Sequence, residues 1–372
     1  MSLRLDLVIG ARPNVMKMVP VLSALLRSGC DISVRIVHTG QHYDPVMASP
    51  LGDQVAAGYG DACESVQLEA QSGSQGVQTA AMLVEYEGLL LDRGYPDGVV
   101  VFGDVNSTLA ATLAAAKLGV PVAHVEAGLR SFDRSMPEEI NRVLVDALAD
   151  LLLTTEAAAD RNLIDEGRSA DAIHLVGNVM LDSLVAHLDE ARGLELPSQM
   201  GLTAREFAYV TLHRPPNVDD PERLRAHVAM LSDLSRRIPT VFCVHPRTRA
   251  RIAAAGLDEA LSASDRLRLL EPQPYVRNLA LLDAAGVVLT DSGGMQDETA
   301  FLGVPCLTLR PNTERPVTIE SGVNRLITDA PDGVLDAVDD ILAAPRPEPP
   351  RIPLWDGKAA DRVAAAILNA WS

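Results

Sequence analysis

The chain has 372 residues, 47% hydrophobic and 22% charged, with 50 Asp and Glu against 32 Lys and Arg and a formal net charge of -18. That length favours two hydrophobic cores over one, the composition is globular rather than disordered, and no apolar run approaches the ~20 residues needed to cross a bilayer. The acidic balance and an aromatic content of 3% argue against nucleic acid, which calls for released counterions and stacking platforms.

Residues 1–9 lack the basic segment and cleavage site of a secretory signal, so a cytoplasmic protein without membrane association is expected. Cys30, Cys63, Cys243 and Cys306 are scattered and form no CxxC pair. Neither a metal site nor a disulfide framework is indicated, and buried free thiols are expected.

Residues 3–9 form an apolar run, followed by the turn Gly10-Ala11-Arg12-Pro13 and an apolar-periodic stretch over 15–26, which predicts strand, turn and helix. Pro13 falls in the first helical turn, where its missing N–H costs little. A second strand is predicted at 32–37, loops and one helix over the polar region 58–76, a helix at 80–91, and a strand at 98–102 that delivers Asp104. The stretch 101–142 then reads as strand end, helix, strand, polar loop and helix, with Asp104, Glu126 and Glu138 at turn positions. Strands at 151–154 and 173–176 alternate with helices at 157–166 and from Gly177-Asn178 to about Arg192.

Residues 193–202, with Pro197 and Gly201, read as a linker, and the alternation then restarts. Strands are predicted at 207–211, 241–244, 267–270, 287–290 and 306–309, and helices at 221–237, 248–255, 275–282 and 294–302. Residues 343–353 are rich in proline and should be extended; residues 358–371 read as a terminal helix packing back across the domain junction. The fold class is α/β, two Rossmann-like doubly wound domains facing a cleft, with parallel sheets covered on both faces. The expected boundaries are 1–192, 193–355 and the terminal helix 356–372. Ligands of such sheets bind beyond the carboxyl ends of the strands.

Asp291-Ser292-Gly293-Gly294 follows a strand and opens a helix, a turn suited to a diphosphate or phosphate. The same residues would equally serve as a helix N-cap. Glu298, one turn on, could accept hydrogen bonds from a vicinal diol or simply be solvated. Arg12 and Lys17 flank another strand-to-helix turn where two cations would hold an anion together, or else form a surface pair. His213-Arg214, His245-Pro246-Arg247 and Arg315 follow strands of the second half, and their convergence would make a positive mouth in an acidic protein. Asp104 could merely cap a helix, Glu126 could pair with Arg130, and Pro137-Glu138-Glu139 is an ordinary helix start. Taken together, though, three carboxylates at strand and helix ends are candidates for acid/base work.

Gly10-Ala11-Arg12-Pro13 with Lys17, Gly103-Asp104, His124-Val125-Glu126-Ala127-Gly128-Leu129-Arg130, Pro137-Glu138-Glu139-Ile140-Asn141-Arg142, Gly177-Asn178, His213-Arg214, Thr290-Asp291-Ser292-Gly293-Gly294-Met295-Gln296 and Thr313-Glu314-Arg315-Pro316 occur in this order. They resemble the non-hydrolysing UDP-N-acetylglucosamine 2-epimerases. The resemblance implies the GT-B fold, a homodimer, and interconversion of UDP-N-acetylglucosamine and UDP-N-acetylmannosamine without metal or nicotinamide cofactor. It implies acid/base roles for Asp104, Glu126 and Glu138, and a place beside the leaving diphosphate for His213. Arg12, Lys17, Arg142, His245, Ser292, Gly293, Gly294, Glu298 and Arg315 fall on its substrate-binding positions. Three departures stand out: Asn14 where many members carry Glu, His213-Arg214-Pro215-Pro216-Asn217 in place of HRxEN, and Gln41-His42-Tyr43-Asp44 without the second glutamine of substrate-activated members. No activation by substrate is therefore expected, and a related UDP-amino sugar is an open alternative substrate. A hydrolysing 2-epimerase, a GT-B glycosyltransferase and a nucleotide-sugar-binding regulator are the remaining alternatives.

Overall fold

The computed structural model describes residues 2–40, 63–69, 73–262, 264–328, 331 and 333–371, with the backbone alone at Arg12. The chain divides into two compact units, one of residues 1–183 with 353–372 and the other of residues 184–352.

In unit 1 the strands are β1 (Leu3–Ile9), β2 (Ile32–His38), β3 (Cys63–Gln67), β4 (Gly98–Phe102), β5 (Val122–Ala127), β6 (Leu151–Thr154) and β7 (Ile173–Leu175). They pair in parallel in the order β3-β2-β1-β4-β5-β6-β7. The helices are α1 (Arg12–Arg27), α2 (Gln75–Arg93), α3 (Asn106–Lys117), α4 (Pro137–Leu148) and α5 (Ala157–Asp165), while α6 (Val179–Gly193) begins in unit 1 and continues into unit 2. β4, β5 and β6 are buried along their whole lengths, as strands covered on both faces must be. α3 packs between α2 and α4, and its buried Ala110, Ala111, Ala114 and Ala115 are small enough for both neighbours to come close.

The region 58–76 departs from expectation: the described part contains the edge strand β3, with the register Val34↔Cys63 to His38↔Gln67. Its polar sequence, CESVQ, leaves no apolar signature because an edge strand is only half covered. The thiols also differ from expectation: all four cysteines are free, but only Cys306 is buried and Cys30 is exposed.

Unit 2 contains β8 (Ala208–Leu212), β9 (Thr240–Val244), β10 (Leu267–Leu270), β11 (Val287–Thr290), β12 (Cys306–Thr308) and β13 (Asn324–Leu326), all parallel in the order β10-β9-β8-β11-β12-β13. Its longer helices are α7 (Pro221–Arg237), α8 (Pro246–Ala254), α9 (Tyr275–Ala284), α10 (Gly293–Leu302) and α11 (Val334–Ala343). The span 193–202, read as linker, carries a short helix at Leu196–Gln199, and β13 and α11 lie beyond the elements anticipated from sequence. Both sheets therefore share one strand order, that of a Rossmann-like doubly wound unit, with the order reversing between β1 and β4 and between β8 and β11.

Residues 353–371 belong to unit 1 and end in α12 (Ala359–Trp371). The Trp355 indole N–H donates to the Thr155 carbonyl at 3.0 Å, and Arg362 donates to the carbonyls of Val176 and Leu354 at 2.6 and 2.8 Å. Asp182 caps α12 by accepting from the N–H groups of Ala359 and Ala360 at 3.1 and 2.8 Å. Ala359, Ala360, Val363, Ala364 and Ile367 then enter the same core as β1 and α1.

Candidate active site

The carboxyl ends of β1 and β4, where the strand order of unit 1 reverses, bring the first group of residues together. Asn14, in the first turn of α1, is buried. Its Oδ1 accepts from the Ala11 N–H at 3.0 Å while its Nδ2 donates to the Phe102 carbonyl at 2.8 Å. It thus stitches the turn after β1 to the end of β4, and that second bond needs an amide, because a carboxylate there has no proton to give. Arg12 opens the same helix; its side chain, like the motif Gln41-His42-Tyr43-Asp44, lies outside the described residues.

Lys17 is buried, and its ammonium is paired with Glu126. The alternative partner Arg130 is engaged elsewhere, with Asp146 at 2.7 Å and Glu166 at 2.6 Å. Glu126 sits at an irregularity of β5, where the register with β6 shifts between Val125 and Ala127. Its φ of 76° is one L side chains seldom adopt. Strain of this kind persists only where the surroundings hold it, and it concentrates at functional sites.

Asp104 follows Gly103, whose φ is 65°. Its carboxylate Oδ2 accepts from Arg142 Nε and Nη2 at 3.0 and 2.6 Å, two charge-assisted bonds presented by α4. The Asp104 side chain is 31% exposed while that of Arg142 is 3% exposed, so a buried cation holds a carboxylate open to solvent. Glu138 is half-buried at the start of α4. Its neighbour Glu139, which sequence reasoning passed over, is buried and accepts from Ser131 and Phe132 N–H at 2.9 and 2.8 Å and from Arg142 at 2.6 Å. It folds the loop ahead of α4 against the helix and fixes Arg142 from behind.

The second group gathers at the carboxyl ends of β8 and β11, the reversal point of unit 2. Asp291 is buried and accepts from the backbone N–H groups of His213 and Arg214 and from Asn217 Nδ2, at 2.9 to 3.1 Å. His213 Nδ1 lies 2.8 Å from Asp291 Oδ1. Burial alone would raise this carboxyl, but His213, Asn217 and the Arg214 N–H outweigh it and bring it to about 2. Asp291 therefore orients His213 rather than capping α10. The signal was present in the His213–Asn217 motif, but the adjacency of β8 and β11 that pairs it with Asp291 is tertiary.

Ser292 stands at the N-cap of α10 without a side-chain capping bond. A Cβ on Gly293 would lie 2.6 Å from Glu314 Oε1 and 2.9 Å from Arg315 Nη1, whereas one on Gly294 would meet nothing within 4 Å. Arg315 is buried and bonded to Asp297 at 2.7 Å and Glu314 at 2.8 Å. Glu298 is buried and accepts from the Tyr275 hydroxyl at 3.0 Å. Burial pushes it up to about 7, against the partial relief of that hydrogen bond. The His245 ring lies 5.6 Å from that of His213, centroid to centroid, and accepts from the Arg247 N–H at 3.3 Å. Arg247 itself is turned to Asp219, so of the basic groups expected to converge the structure brings the rings of His213 and His245 together but not the Arg247 guanidinium. Among the described residues no three His, Cys, Asp or Glu are grouped to hold a metal ion, and no helix is long and apolar enough to cross a membrane.

Two anion-suited turns and a set of strand-end carboxylates thus lie where doubly wound units place their ligands. The UDP-N-acetylglucosamine 2-epimerase family matches residues 25–368. The chain belongs to this family. Among 2-epimerases, a UDP-N-acetylglucosamine 2-epimerase of Methanocaldococcus jannaschii is 37% identical over 98% of the chain and 99% of its own length. A UDP-2,3-diacetamido-2,3-dideoxy-D-glucuronate 2-epimerase of Pseudomonas aeruginosa is 38% identical over 97% and 98%. The crystal structure of the Methanocaldococcus jannaschii epimerase in complex with UDP-GlcNAc and UDP matches with a TM-score of 0.87, 37% identity, and coverage of 99% of this chain and 100% of that one. That likeness fits the GT-B class, two Rossmann-like units in one chain.

Proposed function

We propose that the chain interconverts UDP-N-acetylglucosamine and UDP-N-acetylmannosamine by eliminating UDP and adding it back. The observation that carries this reading is the match to the 2-epimerase family across nearly the whole chain, with carboxylates of the required kind on its motif positions. A base takes the C2 proton, the electron pair of that bond forms C1=C2, and the C1–O bond breaks with its pair leaving on the diphosphate of UDP. Re-addition returns UDP to C1 and a proton to the opposite face of C2, so no electrons are gained or lost overall. We assign the proton transfers to Asp104, Glu126 and Glu138, the hold on the departing diphosphate to His213, His245 and the turn Ser292-Gly293-Gly294, and other substrate contacts to Arg12, Lys17 and Arg142. Arg315 braces that turn, and Glu298 accepts from the ribose hydroxyls. Charge aimed at a leaving group lowers the barrier most where water is excluded.

Incubation with UDP-N-acetylglucosamine in deuterated water is expected to place deuterium at C2 of both epimers with UDP returned to the sugar. Net release of UDP with free N-acetylmannosamine would instead make the enzyme hydrolysing, and absence of exchange with any UDP-amino sugar would remove the reading. The 38% identity to a diacetamido-glucuronate 2-epimerase supports a second reading, a UDP-amino sugar modified at C3 and C6. Comparison of kcat/KM for the two sugars decides between them.

We further propose that the enzyme is a homodimer of the cytoplasm. Val77, Val84 and Leu91 recur every seven residues on α2, and Ile140, Leu144 and Leu148 every four on α4, all exposed. Such stripes suit burial against a second copy, and free thiols suit a reducing compartment. Light scattering should give a dimer mass for the parent and a monomer mass for Val84→Glu with Leu144→Glu; a monomeric parent would remove the proposal.

A further inference from the structure

His124 lies in β5 with its side chain wholly buried, and each ring nitrogen meets an oxygen. Nδ1 is 2.6 Å from Asp146 Oδ1, and Nε2 is 2.8 Å from the Gly103 carbonyl. A carbonyl has no proton to offer, so Nε2 must donate. In a neutral ring that would be the only proton, and Nδ1 would turn a lone pair on an oxygen 2.6 Å away, which is tolerable only if Asp146 were protonated.

Asp146 is placed to stay ionised. Its Oδ2 accepts from the Gly128 N–H at 3.0 Å and pairs with Arg130 Nη1 at 2.7 Å. Burial acts to raise this carboxyl, but His124 and Arg130 outweigh burial and hold it below its ordinary value. Arg130 in turn pairs with Glu166.

Gly103 is where this cluster meets the candidate site. It precedes Asp104, and a Cβ on it would lie 2.9 Å from the Lys17 ammonium and 3.4 Å from Glu126 Oε2. The ionisable groups gathered round the corner are Asp146 and Arg142 from α4, Glu126 from β5, Lys17 from α1, Asp104 itself, and Arg130 and Glu166 behind Asp146.

We infer that His124 donates from both ring nitrogens, to Asp146 and to the Gly103 carbonyl, and so fixes the corner on which Asp104 and Glu126 are set. It is a positioning residue. The catalytic half of this inference rests on the proton-transfer roles proposed above for Asp104 and Glu126; the protonation half does not.

The ring is read first in the unliganded parent protein by 15N-edited NMR, with His124→Asn giving the assignment by loss of its signal. Both nitrogens should carry protons at neutral pH. A ring with one bare nitrogen at neutral pH overturns the inference. Asp146→Asn then keeps size and acceptor while removing the charge that holds the second proton. It should lower kcat ~10-fold or more with KM within about two-fold, and move the acid limb of the kcat profile upward. A correctly folded Asp146→Asn enzyme with parental kcat and pH profile also overturns it. Should the functional reading itself be wrong, the parent would show no C2 exchange while the NMR signature stood, so the two failures are separate.

Discussion

Asp291 and Glu298 are buried carboxylates seven residues apart, and their surroundings drive them in opposite directions. Burial raises both, but Asp291 faces the His213 ring, the Asn217 amide and backbone N–H groups, whereas Glu298 has the Tyr275 hydroxyl and a like-charged neighbour in Asp297. The depressed Asp291 therefore contributes about 2 kcal/mol of stability above its unfolded value near pH 4, lost as pH falls through about 2. The raised Glu298 does the reverse: the stability linked to its neutral form is present below its unfolded value of 4.5 and is lost as pH rises through about 7. A diol donating to Glu298 binds its ionised form, so UDP affinity is expected to weaken as pH falls below about 7. Calorimetric titration between about pH 6 and about pH 8 should show this in the parent and not in Glu298→Gln; a flat parental profile would exclude the contact. At the proton-transfer carboxylates, Asp104→Asn and Glu126→Gln are each expected to lower kcat ~10²-fold or more while UDP still binds, as general acid/base roles do. Parental rates in both variants would withdraw those assignments.

Elements with a continuous apolar run were legible in sequence. Gly98–Phe102, Val287–Thr290 and Pro221–Arg237 stand where their periodicity placed them, because fully covered parallel strands and amphipathic helices announce themselves. β3 was missed because a polar edge strand has no such pattern, and β13 because three residues carry too little of one. The turns of the candidate site were legible as motifs, but their supports were not: Asn14 bonds to Phe102 over 88 positions and Asp291 to Asn217 over 74. Strand order alone brings such partners together. The turn opening α10 offers a test at this scale. Gly293→Ala pushes a Cβ against Glu314 and Arg315 and is expected to cost about 1–3 kcal/mol as overpacking does. Gly294→Ala has open space for its Cβ; it should leave the melting temperature close to the parent's yet weaken UDP binding if a diphosphate approaches that turn. Equal effects of the two substitutions on melting would show that the turn is held by its own packing.

At the scale of the whole molecule, two compact units with separate hydrophobic cores are carried by one chain, and unfolding should not be a single two-state event. In scanning calorimetry Ile367→Ala, which empties a fully buried site in the core of unit 1, is expected to destabilise one transition by about 2–5 kcal/mol. UDP should raise the other, since a ligand stabilises what it binds. Coincident shifts in a single transition would mean that the units unfold together. The last helix carries a further consequence, for synthesis on the ribosome. Unit 1 begins at the amino terminus, yet α12, which fills the seam over β1 and α1, is translated only after residues 184–352. At ~5–20 residues per second, that interval is roughly ten to thirty seconds. Throughout it the nascent first unit presents an open apolar groove, so trigger-factor-like chaperones should dwell there, and a stall anywhere in unit 2 should leave unit 1 unfinished.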